Sequence, residues 1–300
     1  MIHFLSKDDH IFKFSPEASP ALTINPGSSV RLEVMDCFSN QIQKPEDRME
    51  EVDWDKINPA TGPVYISGAE KGDVLKVTVE EIKISDQAVM LTGKDLGVLG
   101  HKLEGLHSKI LPVRDGKVFF DDRTAFNADP MIGVIGVAPE GQEINCGTPD
   151  VHGGNMDTTL IKEKAVVYLP VWVEGGLLAA GDLHAVMGDG EICVSGAEVS
   201  GEVQLNVALV KDLNLSTPLV ENEQVLAVIY SHEDLDEAVT RSVEIMEELI
   251  GKRTELSTAE TAMLLSAGGR VSISQVVDPL KTARCEIPRW VLNNYGFSLY

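Results

Sequence analysis

Basic residues are scarce in this chain. Its 300 residues carry 25 Lys and Arg against 47 Asp and Glu, a formal net charge of −22. Such an acidic surface repels phosphate backbones and anionic headgroups, which argues against nucleic acid and membrane surfaces as partners. It leaves room for a small neutral substrate or a bound cation, although acidity also serves solubility alone. Cysteine is sparse too. Cys37, Cys146, Cys193 and Cys285 stand far apart, with no Cys-x-x-Cys pair. This argues against a disulfide framework and fits a reducing cytoplasm. The N-terminus lacks the apolar run of a signal peptide. No apolar run reaches membrane-spanning length, and the longest, around Val166 to Ala180, is interrupted by Pro170 and Glu174. There is no Gly-x-Ser-x-Gly elbow, which disfavours a serine nucleophile. His152-Gly153-Gly154-Asn155 lacks the Gly-Lys-Ser/Thr ending of a phosphate loop.

What is present is an ordinary globular composition. Apolar residues make up 43%, enough for a sizeable core. To about residue 220, short period-two runs alternate with turn signals, as in Ser29–Val34, Val74–Val79 and Gly201–Val210. The pattern predicts a mainly β protein, an antiparallel sandwich or barrel-like core. After residue 220 a strand over Gln224–Tyr230 leads into two helices and a returning strand over Val271–Val277. Ser231 is the expected cap of the first helix, and Ser257 with Glu260 opens the second. The expected organisation is a β-rich unit over 1–220, divisible near 145/146, and a small α/β unit over 221–300. Gln41 to Pro59 reads as a polar loop or short helix beside Asp36. Pro63–Asp73 and Pro170–Asp182 share the pattern Pro-Val-aromatic-aliphatic-x-Gly followed by Gly-Asp, and suggest a duplicated strand-turn-strand unit. Independent use of common turn residues gives the same pattern.

The stretch Gly181-Asp182-Leu183-His184-Ala185-Val186-Met187-Gly188-Asp189-Gly190-Glu191 concentrates the chemistry. In extended backbone, Asp182 and His184 point to one face. Gly188-Asp189-Gly190 suits a tight reversal, which would return Glu191 opposite them. Asn155 and Asp157 follow a second glycine pair and lie two residues apart. Length suggests that the two clusters sit at the ends of neighbouring strands. Oxygen and nitrogen donors converging in this way suit a divalent cation. The expected ligands are Asp36, Asn155, Asp157, Asp182, His184 and Asp189. Glu191 is the candidate general base, and His152 the candidate donor to a developing oxyanion. Cys193, two residues after Glu191, keeps a cysteine hydrolase open. A metal-stabilised β protein without turnover is the non-enzymatic alternative.

Taken together, His152-Gly153-Gly154-Asn155-Met156-Asp157, Leu169-Pro170-Val171, Gly181-Asp182-Leu183-His184-Ala185 and Gly188-Asp189-Gly190-Glu191 resemble the acetamidase/formamidase family. Asn58-Pro59-Ala60-Thr61-Gly62-Pro63-Val64-Tyr65 and Gly68-Ala69-Glu70-Lys71-Gly72-Asp73 extend the resemblance toward the N-terminus. It implies a metal-dependent hydrolase of short amides that releases a carboxylate and ammonia. It also implies zinc, sometimes with calcium as a second ion, and a homo-oligomer, here expected as a dimer. A close variant of the family hydrolyses γ-lactams, so a cyclic amide is the alternative substrate. Met187 stands where the family pattern has glutamine, which bears on substrate preference.

Overall fold

The computed structural model describes residues 2–47 and 51–300. Part of the polar stretch predicted over 41–59 therefore lies outside the described residues. Within the rest of it, Trp54–Lys56 forms a single 3-10 turn capped by Asp53.

The protein is mainly β, and its described residues form no closed barrel. Among the described residues, one sheet of nine strands runs from Ile2–Leu5 through Ser28–Val34, Gly201–Val210, Val74–Ile84 and Val166–Pro170. It continues through Leu219–Glu221, Val225–His232 and Lys281–Pro288 to Arg270–Gln275. All its neighbours are antiparallel except the first pair. A second sheet centres on Leu178–His184, flanked by Met131–Gly136 on one side and Glu198–Val199 on the other.

Period-two patterning explains how the sheets pack. In Gly201–Val210, Val203, Leu205 and Val207 are buried and alternate with half-exposed residues. They join a core that also takes Val30, Leu32, Val77 and Val79 from the first sheet. Ile132, Ile135, Leu178, Ala180, Leu183 and Val199 come to the same core from the second sheet. Leu178–His184 is buried along its whole length, as expected of a central strand covered on both faces.

The C-terminal part packs on the first sheet. Leu235–Gly251 sets Met246, Leu249 and Ile250 against Val228, Cys285 and Ile287 of that sheet. Its cap is Asp234, which accepts from the N–H groups of Asp236 and Glu237. Ser231 is not the cap, because the preceding strand continues through His232. The helix Thr258–Gly268 starts where expected, at Ser257, which forms a capping box with Glu260. The strand Lys281–Pro288 and the short helix Arg289–Asn294 lie in a tail with little sequence pattern. Residue 220 falls inside the first sheet, where Val220 pairs with both Val167 and Ala227.

The two similar strand-turn-strand units interlock. Ala60–Ile66 pairs with Leu178–His184 in the second sheet, and Val74–Ile84 pairs with Val166–Pro170 in the first. Each unit's first strand thus meets the other's second strand.

Candidate active site

The centre of the second sheet holds ionisable groups where packing normally demands apolar ones. His184, Asp157, Asp182 and Glu198 are all buried. The imidazole Nε2 of His184 lies 3.2 Å from a Glu198 carboxylate oxygen, 3.5 Å from Asp182 and 3.8 Å from Asp157. These separations give charge attraction, but none meets hydrogen-bond geometry. Both His184 nitrogens and both Asp157 oxygens lack a hydrogen-bond partner, as do Asp182 Oδ1, Glu198 Oε2 and Asn155 Oδ1. Each such orphan costs roughly 1–3 kcal/mol. Together they cost on the order of 10 kcal/mol, comparable with the whole stability of a typical domain. A site this expensive calls for something to bind it.

Backbone geometry aims the carboxylates. Asp157, Asp182 and Glu191 sit at φ of 43°, 54° and 45°, in the left-handed region that side chains disfavour. Opposing them is Gly133, where a Cβ would lie 2.4 Å from an oxygen of Asp157 and 2.4 Å from one of Asp182. Gly196 backs the His184 ring, because a Cβ there would come within 2.8 Å of it.

Electrostatics differentiate the acids. Burial, followed by the Asp182 charge, pushes Asp157 up to about 7. Burial likewise lifts Glu198 to about 8, against the pull of His184. Glu191 is held well above the usual carboxylate range by burial and by Asp157. Burial also raises Asp182, but His184 and neighbouring groups outweigh it and hold that carboxyl low. For His184, burial opposes the charged form, yet Glu198 and Asp182 overcome it and keep the imidazole well above its ordinary value.

Two triads bring ligand atoms within 4.8 Å of one another: Asp157, His184 and Glu191, and Cys37, Asp182 and Glu198. Asn155 borders the cluster, and its amide nitrogen donates to Asp278 at 2.9 Å. Asp278 belongs to the C-terminal part, and burial with the nearby Asp157 charge drives its carboxyl well up.

The other expected residues are placed differently. Asp189 is directed to the strand Lys281–Pro288 of the first sheet. Its carboxylate, 44% exposed, accepts from Arg284 at 2.6 Å and from the Thr159 hydroxyl at 2.8 Å. Asp36 spends its oxygens on a turn, accepting from the N–H groups of Phe38 and Asn40 and from Gln43. Burial lifts it to about 6, and the Asp182 charge adds to the rise. Its neighbour Cys37 faces the cluster instead. His152 packs edge-on against Phe14, with ring centroids 5.1 Å apart. Both its nitrogens are unpartnered, and burial lowers its pKa to about 4. Glu198, Cys37 and Asp278 escaped the sequence reading. A glutamate between Ala197 and Val199 is an odd residue for a buried strand, and Asp278 directly follows an apolar pair at a strand end. Met131–Gly136 lies between the strands of the two expected clusters and pairs with both, so those strands are not direct neighbours.

The model of the Acetamidase/Formamidase family matches residues 5–145 and 136–233. This chain belongs to the acetamidase/formamidase family. A predicted acetamidase/formamidase of Thermoanaerobacter tengcongensis superposes with a TM-score of 0.98 at 55% identity, over 99% of each chain. An acetamidase of Bacillus halodurans does so with a TM-score of 0.96 at 41% identity, over 98% of this chain and 99% of that one. A putative formamidase of Schizosaccharomyces pombe is 26% identical over 69% of this chain. The chain spans 66% of that relative's length. Among the described residues of this family member, no helix is long and apolar enough to cross a membrane.

Proposed function

We propose that the chain is a divalent-metal-dependent amidohydrolase that cleaves short linear amides, such as formamide and acetamide, to a carboxylate and ammonia. Family membership supports the reaction class. The observation that carries the reading is the set of orphaned donor atoms around His184, because imidazole and carboxylate donors of this kind fit a divalent cation. His184, Asp157, Asp182 and Glu198 would hold it, with Cys37 at the margin. The imidazole and thiol favour zinc, and the surplus of oxygen donors leaves calcium as a candidate second ion. Such an ion supplies Lewis-acid polarisation of the amide carbonyl.

The protein groups then handle the protons. Glu191, beside His184 and Asp157 and on the lining of the neighbouring cavity, takes a proton from the attacking water and delivers it to the departing nitrogen. The left-handed backbone at Glu191 aims its side chain. Asn155 is held by Asp278 with its carbonyl oxygen free to accept from the amide N–H. The enzyme is proposed to act in the cytoplasm as a homodimer on a small neutral substrate. Glu191→Gln keeps the shape and removes the base. It is expected to lower ammonia release from formamide and acetamide by about 10³-fold with metal content retained. Undiminished turnover in this variant rules out Glu191 as the base.

A further inference from the structure

A cavity of about 400 Å³ opens beside the cluster, and Glu191 lines it. Gly196, which backs the His184 ring, lines it as well. Its volume falls in the range of pockets that hold ligands many times the size of acetamide. Much of the lining is apolar, with Met90, Leu111, Val118, Phe120, Phe126 and Val186 contributing to it. Phe120 and Phe126 are 40% and 49% exposed, large hydrophobic side chains left open at the end of the second sheet. Formamide has no carbon to place against that wall, and acetamide has one methyl group.

We propose that this cavity is an acyl-group subsite, and that the preferred substrates are uncharged primary amides whose acyl group is apolar and larger than acetyl. The inference rests on the amidohydrolase reading. If the leaving group is ammonia, the bulk that fills the cavity belongs to the acyl side. Among the described residues the lining carries two acids, Asp189 and Glu191, and no basic side chain, so nothing on it pairs with a carboxylate on the substrate. Each methylene that leaves water for such a wall is worth about fourfold in affinity.

Two measurements test this. The first compares kcat/KM for formamide, acetamide, butyramide and hexanamide in the wild-type holoenzyme and in Phe126→Asp. Hexanamide is expected to exceed acetamide by about tenfold or more. Phe126→Asp should erase that gain and leave formamide within about twofold, since formamide does not reach the apolar wall. The second measures hexanamide binding by calorimetry to metal-loaded Glu191→Gln, which does not consume the ligand, with and without Phe126→Asp. Weaker binding in the double variant supports the subsite. Turnover of formamide and acetamide with no gain along the series overturns the subsite and spares the amidohydrolase reading. Hexanamide binding that does not depend on Phe126 also overturns it. Phe126-dependent binding with no turnover of any amide upholds the cavity and overturns the reaction.

Discussion

At the scale of single residues, His152 shows how burial becomes pH dependence. Its folded-state pKa is about 4, because a buried imidazole loses hydration when charged. The unfolded chain takes up that proton near pH 6.5. As pH falls from about 6.5 to about 4, the unfolded state gains a proton that the native state refuses. Stability is therefore present above the unfolded pKa and is lost across this window, by about 3 kcal/mol in total. The buried carboxyls Asp157, Glu198 and Asp36, raised by burial, work in the opposite direction over the same range. The His152 part is therefore read as the difference between wild type and His152→Leu in urea denaturation at about pH 7 and pH 4.5. The variant should lack most of that part, and an unchanged pH dependence would contradict the assignment. Glu198 makes a different prediction. It stands nearest His184, so Glu198→Ala should weaken zinc binding about tenfold or more, as measured by competition with a chromophoric chelator. Unaltered affinity would remove Glu198 from the ligand set.

At the scale of elements, the strand Leu178–His184 explains both the successes and the failures of sequence reading. Alternation predicted that Asp182 and His184 converge, and their side chains lie 3.5 Å apart. The route differs from plain alternation, because Asp182 leaves the extended region at φ 54°. The glycine-flanked turn does bring Glu191 within 4.8 Å of His184 and Asp157, but from a loop, while Glu198, seven residues further on, holds the paired register. Intervening loop residues obey no period, so spacing cannot count across them. The fold class was legible because burial imposes period two on each strand. Cys37 and Asp278 were not, since their places depend on pairing between distant segments. Gly133 carries the element-scale prediction. Gly133→Ala drives a methyl group into two carboxylates and should abolish metal retention, measured by elemental analysis. Gly251→Ala, on a helix with its nearest neighbour 3.8 Å away, should leave metal content unchanged. Equal metal content in both variants would contradict the packing argument.

At the scale of the whole molecule, the site joins both ends of the chain. Cys37 comes from the N-terminal region and Asp278 from the far C-terminal part, while Asp157, Asp182, His184, Glu191 and Glu198 lie between them in sequence. We propose that residues 221–300 form an α/β layer built on the shared first sheet, which places Asp278 against Asn155. Binding of an ion to the folded state alone would stabilise the chain, by about 4 kcal/mol at a thousandfold excess over Kd. Chelation should therefore lower the thermal midpoint. The most direct test determines metal content and ammonia release from formamide on one preparation: as purified, after exhaustive chelation, and after zinc is returned. The account predicts a bound divalent metal, turnover that disappears with it, and recovery when zinc is restored. Full turnover by the metal-free protein would contradict it.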